Sequence, residues 1–183
     1  MRADAEHVAM VVRRAVRRDL ELVLTVLANA RAGQERQGTP LSWRALPRAA
    51  AAASVARGET YVVQRAGDTV GTFALEDTDA AVWPDSEAVG AVHLHRLAID
   101  PHHQGQGIGS FAVDWAARTA AAQGRSLLRL DAVAANTRLC TWYERLGFAA
   151  KGEVLLSGWV RASMRFEREV TRPVGLPEID TPC

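Results

Sequence analysis

The sequence predicts an α+β fold built as an α/β three-layer arrangement, and three observations carry that expectation. Residues 92–123 read as strand, glycine-rich turn and helix in direct succession. Ser126 to Val133 is a nearly continuous apolar run, the pattern of a strand at a central parallel position. The whole chain then reads in the order β-α-α-β-β-β-α-β-α-β-β, which is about seven strands in a mixed sheet flanked by about four helices.

Each element has its own reason. His7 to Val16 alternates Val8, Met10 and Val12 as a first strand. Asp19 is placed to cap a helix carrying Leu20, Val23, Leu24 and Leu27 on one side and ending near Ala32-Gly33. Gln34 to Ser42 is polar and reads as a loop. A second helix spans roughly Pro47 to Arg57, favoured by its proline start and alanine run and stopped by Gly58. Thr60 to Gln64 and Thr69 to Glu76 flank Ala66-Gly67-Asp68 as a hairpin. Asn136 to Leu146 is a helix closed by Gly147, and Phe148 to Leu156 and Trp159 to Arg168 form a final strand pair around Ser157-Gly158.

At 183 residues the chain fits one domain, 1–169, followed by a proline-bearing tail, 170–183, that needs no regular structure. No apolar run approaches the ~20 residues of a membrane span, and Arg13, Arg14, Arg17 and Arg18 interrupt the only N-terminal apolar segment. A net charge of +1 argues against nucleic acid or an acidic membrane as partner. Two cysteines, Cys140 and Cys183, make no disulfide framework, so the expected location is cytoplasmic. Monomer and homodimer, the latter through the final strands, both fit.

The stretch from Val92 to Ser110 organises the rest. Val92 and Leu94 alternate with polar residues, Leu97 to Ile99 follow, and Pro101 ends the strand. Gly105, Gly107 and Gly109 then precede a helix whose Ile108, Ala112, Trp115, Ala116, Thr119 and Ala120 recur at helical spacing through Gln123. Glycines let backbone and ligand approach closely, and the free N–H groups at a helix start favour an anion such as phosphate. Neither G-x-G-x-x-G nor G-x-x-x-x-G-K-[ST] occurs there, which disfavours dinucleotide and phosphoryl-transfer readings.

On these residues the stretch resembles motif A of the GNAT acetyltransferase superfamily. Gln104, Gly107 and Gly109 match its (Gln/Arg)-x-x-Gly-x-(Gly/Ala) loop, and Leu97 to Ile99 match the strand end before it. The resemblance implies a GNAT fold, its sheet splayed between the fourth and fifth strands. It also implies acetyl-CoA as cosubstrate, its pyrophosphate at the loop and its pantetheine and acetyl groups along the strand. A second match is N-T-R-L-C-T-W-Y-E-R-L-G-F, with Asn136, Tyr143, Gly147 and Phe148 at the family's positions. Seven residues are two helical turns, so Asn136 and Tyr143 share a face. The resemblance implies that Asn136 bonds the pantetheine arm and that Tyr143 protonates the departing thiolate. The implied cofactor site is Leu97, Ala98, Ile99, Gln104, Gly105, Gln106, Gly107, Ile108, Gly109, Ser110, Asn136 and Tyr143.

The function this implies is an N-acetyltransferase that moves the acetyl group of acetyl-CoA to a primary amine, small-molecule or protein, by direct attack in a ternary complex. A coenzyme-binding sensor without turnover is the alternative. A free alkylamine resembles lysine, with a pKa near ~10.4, so a base is required. His93 and His95 are the candidates, two apart on one strand face with an unperturbed pKa of ~6.5. The run H-L-H-R-L-A-I is similar to the corresponding strand of arylalkylamine N-acetyltransferases, whose His-x-His pair relays the proton. His102 and His103 are expected to shape the turn, Cys140 to fill a packing site, and no metal is expected. For the acceptor, Gln34 to Trp43 and Glu76 to Glu87 are the candidate groove. Trp43, Phe73 and Trp83 would be apolar walls, and Glu76, Asp77 or Asp79 would attract a cation.

Overall fold

The computed structural model describes residues 9–38, 46–84, 90–155 and 161–170. His7 and Val8 of the expected first strand, Trp43, the Ser157-Gly158 turn, Trp159, Asp85, Glu87 and residues 171–183 of the tail lie outside the described residues. The elements are β1 (Met10–Arg14), α1 (Leu20–Arg36), α2 (Arg48–Ala56), β2 (Thr60–Arg65), β3 (Asp68–Glu76), β4 (Ala91–Ile99), α3 (Ile108–Ala122), β5 (Leu127–Val133), α4 (Thr137–Arg145), β6 (Ala149–Val154) and β7 (Ser163–Glu169). They follow the expected order, and the strands form one seven-stranded mixed sheet, β1-β2-β3-β4-β5-β7-β6.

Two layers of apolar side chains hold helices to opposite faces. Val23, Val26, Leu27 and Ala30 of α1 pack with Val55 of α2 and with Val62 and Ala98. On the other face Ile108, Ala112, Val113 and Ala116 of α3 and Tyr143 of α4 pack against Val92, Leu94, Leu128, Leu130 and Phe166. The β2–β3 hairpin turns on Ala66 and Gly67, both at positive φ, as a two-residue hairpin that follows the right-handed strand twist requires.

Three expectations need correction. Helix α1 does not end near Gly33 but continues to Arg36. Gly33 is buried there, and a Cβ on it would lie 3.0 Å from Pro101 Cγ, so this glycine serves close packing rather than termination. Asp19 stands at the N-cap of α1, but its side chain makes no capping bond to that helix. It closes a 3-10 turn, Arg17–Asp19, with its carboxylate accepting from the Val16 N–H (2.8 Å) and from Arg13 (2.6 and 2.9 Å). Phe73 is no groove wall: it is fully buried and stacked on Tyr61 with ring centroids 5.3 Å apart.

Strands β4 and β5 determine where function can reside. They pair in parallel only from Ala91↔Leu127 to His93↔Arg129, although β4 runs on to Ile99 and β5 to Val133. Beyond His93 the sheet is therefore split. The cause on the β4 side is a bulge: Thr72 faces Ala98 while Ala74 faces His95, which places Arg96 and Leu97 opposite one residue of β3. Arg96 takes φ 53, a left-handed conformation costing a non-glycine residue about 1 kcal/mol. Its guanidinium is tied to Glu76 and to Ser54 Oγ (3.3 Å).

The extra residue reverses the alternation of the strand. Val92 and Leu94 face α3 before the bulge, and Leu97 and Ile99 do so after it, leaving Ala98 in the layer beneath α1. His93 and His95 thus point to the α1–α2 side, while the apolar end of the same strand turns toward α3.

Candidate functional site

A cavity of about 610 Å3 occupies the split. From the α3–α4 side it is lined by Gly105, Gly107, Ile108, Gly109, Ser110, Leu139, Trp142 and Tyr143. Leu94, Leu97 and Ile99 of β4 form one wall, and Asp131 of β5 stands opposite. Gln34 of α1 and Leu46, just before α2, line it from the other face together with His95 and Arg96. The cavity is a slot passing through the sheet, open to a different layer at each end.

The α3 end is built from backbone. Gly105 and Gly107 hold φ 75 and 78, and nothing stands within 4 Å of where a side chain on Gly105 would begin. The first bond of the α3 ladder runs from Phe111 N–H to Gly107 O (3.0 Å), so the amides of Ile108, Gly109 and Ser110 precede it without helical acceptors. A Cβ on Gly109 would lie 3.3 Å from the Trp142 ring, so this glycine lets α3 close on α4. Gln104 Nε2 donates to Ile99 O (3.3 Å) and fastens the turn to the strand end.

The opposite end is built from titratable side chains. His95 Nε2 lies 3.6 Å from Asp79 Oδ2 and 3.9 Å from Glu76 Oε2. The His93 ring lies parallel to that of His95, with centroids 6.2 Å apart, and its other neighbour is Trp83. Burial pushes His93 down to about 4 despite the opposing pull of Asp79, so it is held neutral. Burial pushes the Asp131 carboxyl up, while the Ser163 hydroxyl draws it back. Burial also raises Tyr143, with Asp131 adding to it, so the phenol keeps its proton at neutral pH.

Trp83 holds the acidic stretch onto the sheet. The Arg129 and Arg165 guanidinium groups lie 4.3 and 5.3 Å from its ring centroid, an arrangement in which two cations share one π-face system. The Trp83 N–H donates to Asp79 O (2.8 Å) and the Val82 N–H to Asp79 Oδ1 (3.2 Å), which fixes where the Asp79 carboxylate points.

Of the residues expected from the sequence, Tyr143, His95, Leu97, Ile99, Gln104, Gly105, Gly107, Ile108, Gly109 and Ser110 come together around the slot. Four do not line it. His93 sits behind His95, Ala98 faces α1, and the Gln106 side chain is engaged by Arg65 and donates to His102 O (3.3 Å). Asn136 caps α4 through Oδ1, which accepts from Leu139 N–H (3.1 Å). Asp77 is drawn off to Arg125 (2.6 Å) and is 74% exposed, so it is no part of the site. The Cys140 Sγ turns to the carbonyls of Val133 and Ala134 (3.8 and 3.9 Å), and burial raises its thiol.

Sequence reasoning missed Asp131 and Arg96. An acid inside the apolar run L-L-R-L-D-A-V was the available signal for the first. Nothing local marks the bulge at Arg96.

The split seven-stranded mixed sheet, with a glycine-opened helix facing the gap, defines the class as the GNAT fold. The chain belongs to the acetyltransferase (GNAT) family, whose family model matches residues 21–148. It is similar to YesJ of Bacillus subtilis (strain 168), an uncharacterized N-acetyltransferase, with 28% identity over 122 residues, 64% of this chain and 65% of that one. MJ1207 of Methanocaldococcus jannaschii, another uncharacterized N-acetyltransferase, is 33% identical over 72 residues, 39% of this chain and 31% of that one. The chain thus spans less than two thirds of the length of these curated relatives. Among solved structures, a GNAT-family acetyltransferase of Listeria monocytogenes 4b F2365 superposes with TM-score 0.76 at 19% identity, covering 87% of this chain and 94% of its own. The yncA protein of Salmonella typhimurium, solved with its cofactor acetyl-CoA, gives TM-score 0.66 at 15% identity, covering 93% and 99%. These structural likenesses show a shared fold.

Proposed function

We infer that the chain is an N-acetyltransferase that transfers an acetyl group from acetyl-CoA to a primary amine, both substrates meeting in the slot between β4 and β5. The observation that carries this is the polarity of that slot: unpaired backbone amides at one end, a histidine between carboxylates at the other, and a protonated tyrosine beside them. The open left-handed turn at Gly105 and Gly107 and the amides after it suit a diphosphate. The acetyl-CoA bound by the Salmonella neighbour supports the same cosubstrate here.

Bound there, acetyl-CoA supplies the acetyl group as an activated thioester. The chain's own residues do the rest. Gly105, Gly107 and the amides of Ile108 to Ser110 hold the diphosphate, and the backbone of Leu97 to Ile99, turned toward α3 by the bulge, lies along the arm. Asn136, which does not line the slot, caps α4 and so positions the helix that carries Tyr143. His95 accepts the amine proton as the nitrogen attacks, while neutral His93, pushed down to about 4, backs it as a neighbour rather than as the base. A backbone N–H near Ile99 receives the charge that develops on the carbonyl oxygen. Tyr143 donates its proton to the departing sulfur. The balance closes when the second proton on the attacking nitrogen restores the Tyr143 phenol and His95 returns its proton to solvent.

The test is release of coenzyme A thiol with a panel of primary amines. Tyr143→Phe is expected to lower kcat about 10- to 100-fold while leaving the KM for acetyl-CoA unchanged. Thiol release equal in the variant and the parent refutes the role of Tyr143. Acetyl-CoA binding without thiol release for any amine returns the chain to the sensor reading.

A further inference from the structure

Where β4 and β5 part, three donor groups from separate segments converge in the wall of the slot. Pairing of the two strands ends at His93↔Arg129, and His95 and Asp131 are the next residues on the same faces of those strands. Asp79 reaches the same point from the segment after β3. Each of the three offers one ligand atom, and these atoms all lie within 4.8 Å of one another, with His95 Nε2 3.6 Å from Asp79 Oδ2. His95 and Asp131 line the slot and Asp79 does not, so the cluster is seated in the wall rather than in the opening. The wide separation of the three along the chain is why residue spacing alone points to no metal.

Among the described residues no lysine or arginine pairs with Asp79 or Asp131. Arg165, opposite Asp131 on β7, is turned to the Trp83 ring and to the carbonyls of Lys151 and Gly152, and Arg96 is taken by Glu76 and Ser54. Two buried polar atoms at the cluster also lack hydrogen-bond partners among the described residues. His95 Nε2 has none, since both carboxylates that flank it lie beyond hydrogen-bond distance. Ser163 Oγ, on a residue 0% exposed, has none either, yet it stands close enough to Asp131 to oppose the upward push of burial on that carboxyl. Buried polar atoms rarely stay unpaired unless something completes them.

We propose that Asp79, His95 and Asp131 bind one divalent transition-metal ion of the zinc type, and that the bound ion inhibits the enzyme by occupying the His95 Nε2 lone pair. The binding stands on the geometry alone; the inhibition rests on the transferase reading, in which His95 takes the amine proton. Donors about 2.1 Å from a four-coordinate ion lie about 3.4 Å apart, close to the 3.6 Å between His95 and Asp79, and a carboxylate rotation covers the wider spans. One divalent ion balances the two carboxylates. A nitrogen with two oxygens suits a borderline ion better than magnesium or calcium, which take oxygen ligands. The surroundings hold the ligands in place as a metal site requires: Asp79 Oδ1 accepts from the Val82 N–H (3.2 Å), and the parallel His93 ring stands behind His95. Three protein ligands leave a fourth position for water.

The test starts from the full chain freed of metal with EDTA and dialysed. Calorimetric titration with zinc chloride is expected to saturate at one ion per chain, and magnesium at the same concentration to leave that binding unchanged. His95→Gln, Asp79→Asn and Asp131→Asn should each weaken zinc binding about 10-fold or more, while the double variant His102→Ala/His103→Ala binds as the parent does. X-ray absorption of the zinc-loaded parent, which needs no variant, should show nitrogen and oxygen neighbours at about 2.0 Å and no sulfur. No zinc binding, equal binding in the parent and the three single variants, binding that follows His102 and His103, or a sulfur neighbour at about 2.3 Å from Cys140 or Cys183 overturns the site. Inhibition is read as acetylated amine by mass, since zinc itself binds the released thiolate. Zinc should lower its formation about 10-fold or more, and EDTA should restore it. Undiminished acetylation with the site filled overturns the inhibition and the assignment of His95 as base, and leaves the metal site standing. Acetylation absent both with and without zinc removes the transferase reading and the inhibition with it, and again leaves the metal site.

Discussion

Replacing His93 by leucine should flatten the acid side of the stability profile, and the size of the effect follows from its burial. In the folded chain the imidazole is held down to about 4 by desolvation, against 6.5 for the free side chain. The groups facing it are Asp79 and Glu76, which oppose the shift, and His95 and Arg129, which add to it. Between these two pKa values the unfolded chain binds a proton that the folded chain refuses. Stability therefore falls as pH drops from about 6.5 to about 4 and is unaffected by this group above that window. A difference of about 2.5 pK units corresponds to about 3 kcal/mol, a large fraction of the stability of a domain this size. The assay is urea unfolding of parent and His93→Leu at intervals from pH 7.5 to pH 4. The parent should lose about 3 kcal/mol relative to the variant over that range. Parallel curves would mean that the ring is solvated or paired in solution, and with that the argument that His95 rather than His93 is the base would lose its footing.

Asp19 tests the opposite sign. Its carboxylate, held down to about 2 mainly by Arg13 and also by the Val16 N–H, contributes stability above the unfolded value of 3.8 that is lost as pH falls through 2. Asp19→Asn should cost about 2 kcal/mol at pH 7 in chemical denaturation, with the gap closing between pH 4 and pH 2. A gap that persists at pH 2 assigns the loss to packing instead. Gly33→Ala lies inside α1, where the exchange ordinarily gains about 1 kcal/mol. Here the new Cβ meets Pro101 Cγ at 3.0 Å, so thermal unfolding should show no gain or a lower midpoint. A clear rise would show that the Pro101 segment gives way freely.

The same residues show how far local sequence reaches. The glycine turn was legible because its chemistry is contained in five consecutive residues: positive φ at Gly105 and Gly107, then a helix start at Ile108. Tyr143 and a helix starting at Asn136 were legible because one helix fixes their spacing, whereas the capping bond of Asn136 Oδ1 emerged only in the structure. Gly33 misled because a glycine that breaks a helix and one that admits a neighbouring proline look alike until the neighbour is known. His93 and His95 looked equivalent on their strand, and only the layer above them separates one that is 3% exposed from one that lines the slot.

By itself the sequence determined the elements, their order, the glycine turn and the placing of the tyrosine, since periodicity and glycine conformation act over a few residues. The tertiary structure alone decided that β7 lies between β5 and β6, that a bulge at Arg96 reverses the facing of β4, and that Asp79 and Asp131, 52 positions apart, close on His95. Those outcomes depend on which strands pair and where pairing stops. Pairing is settled by burying two apolar layers at once, which no short window of the chain contains.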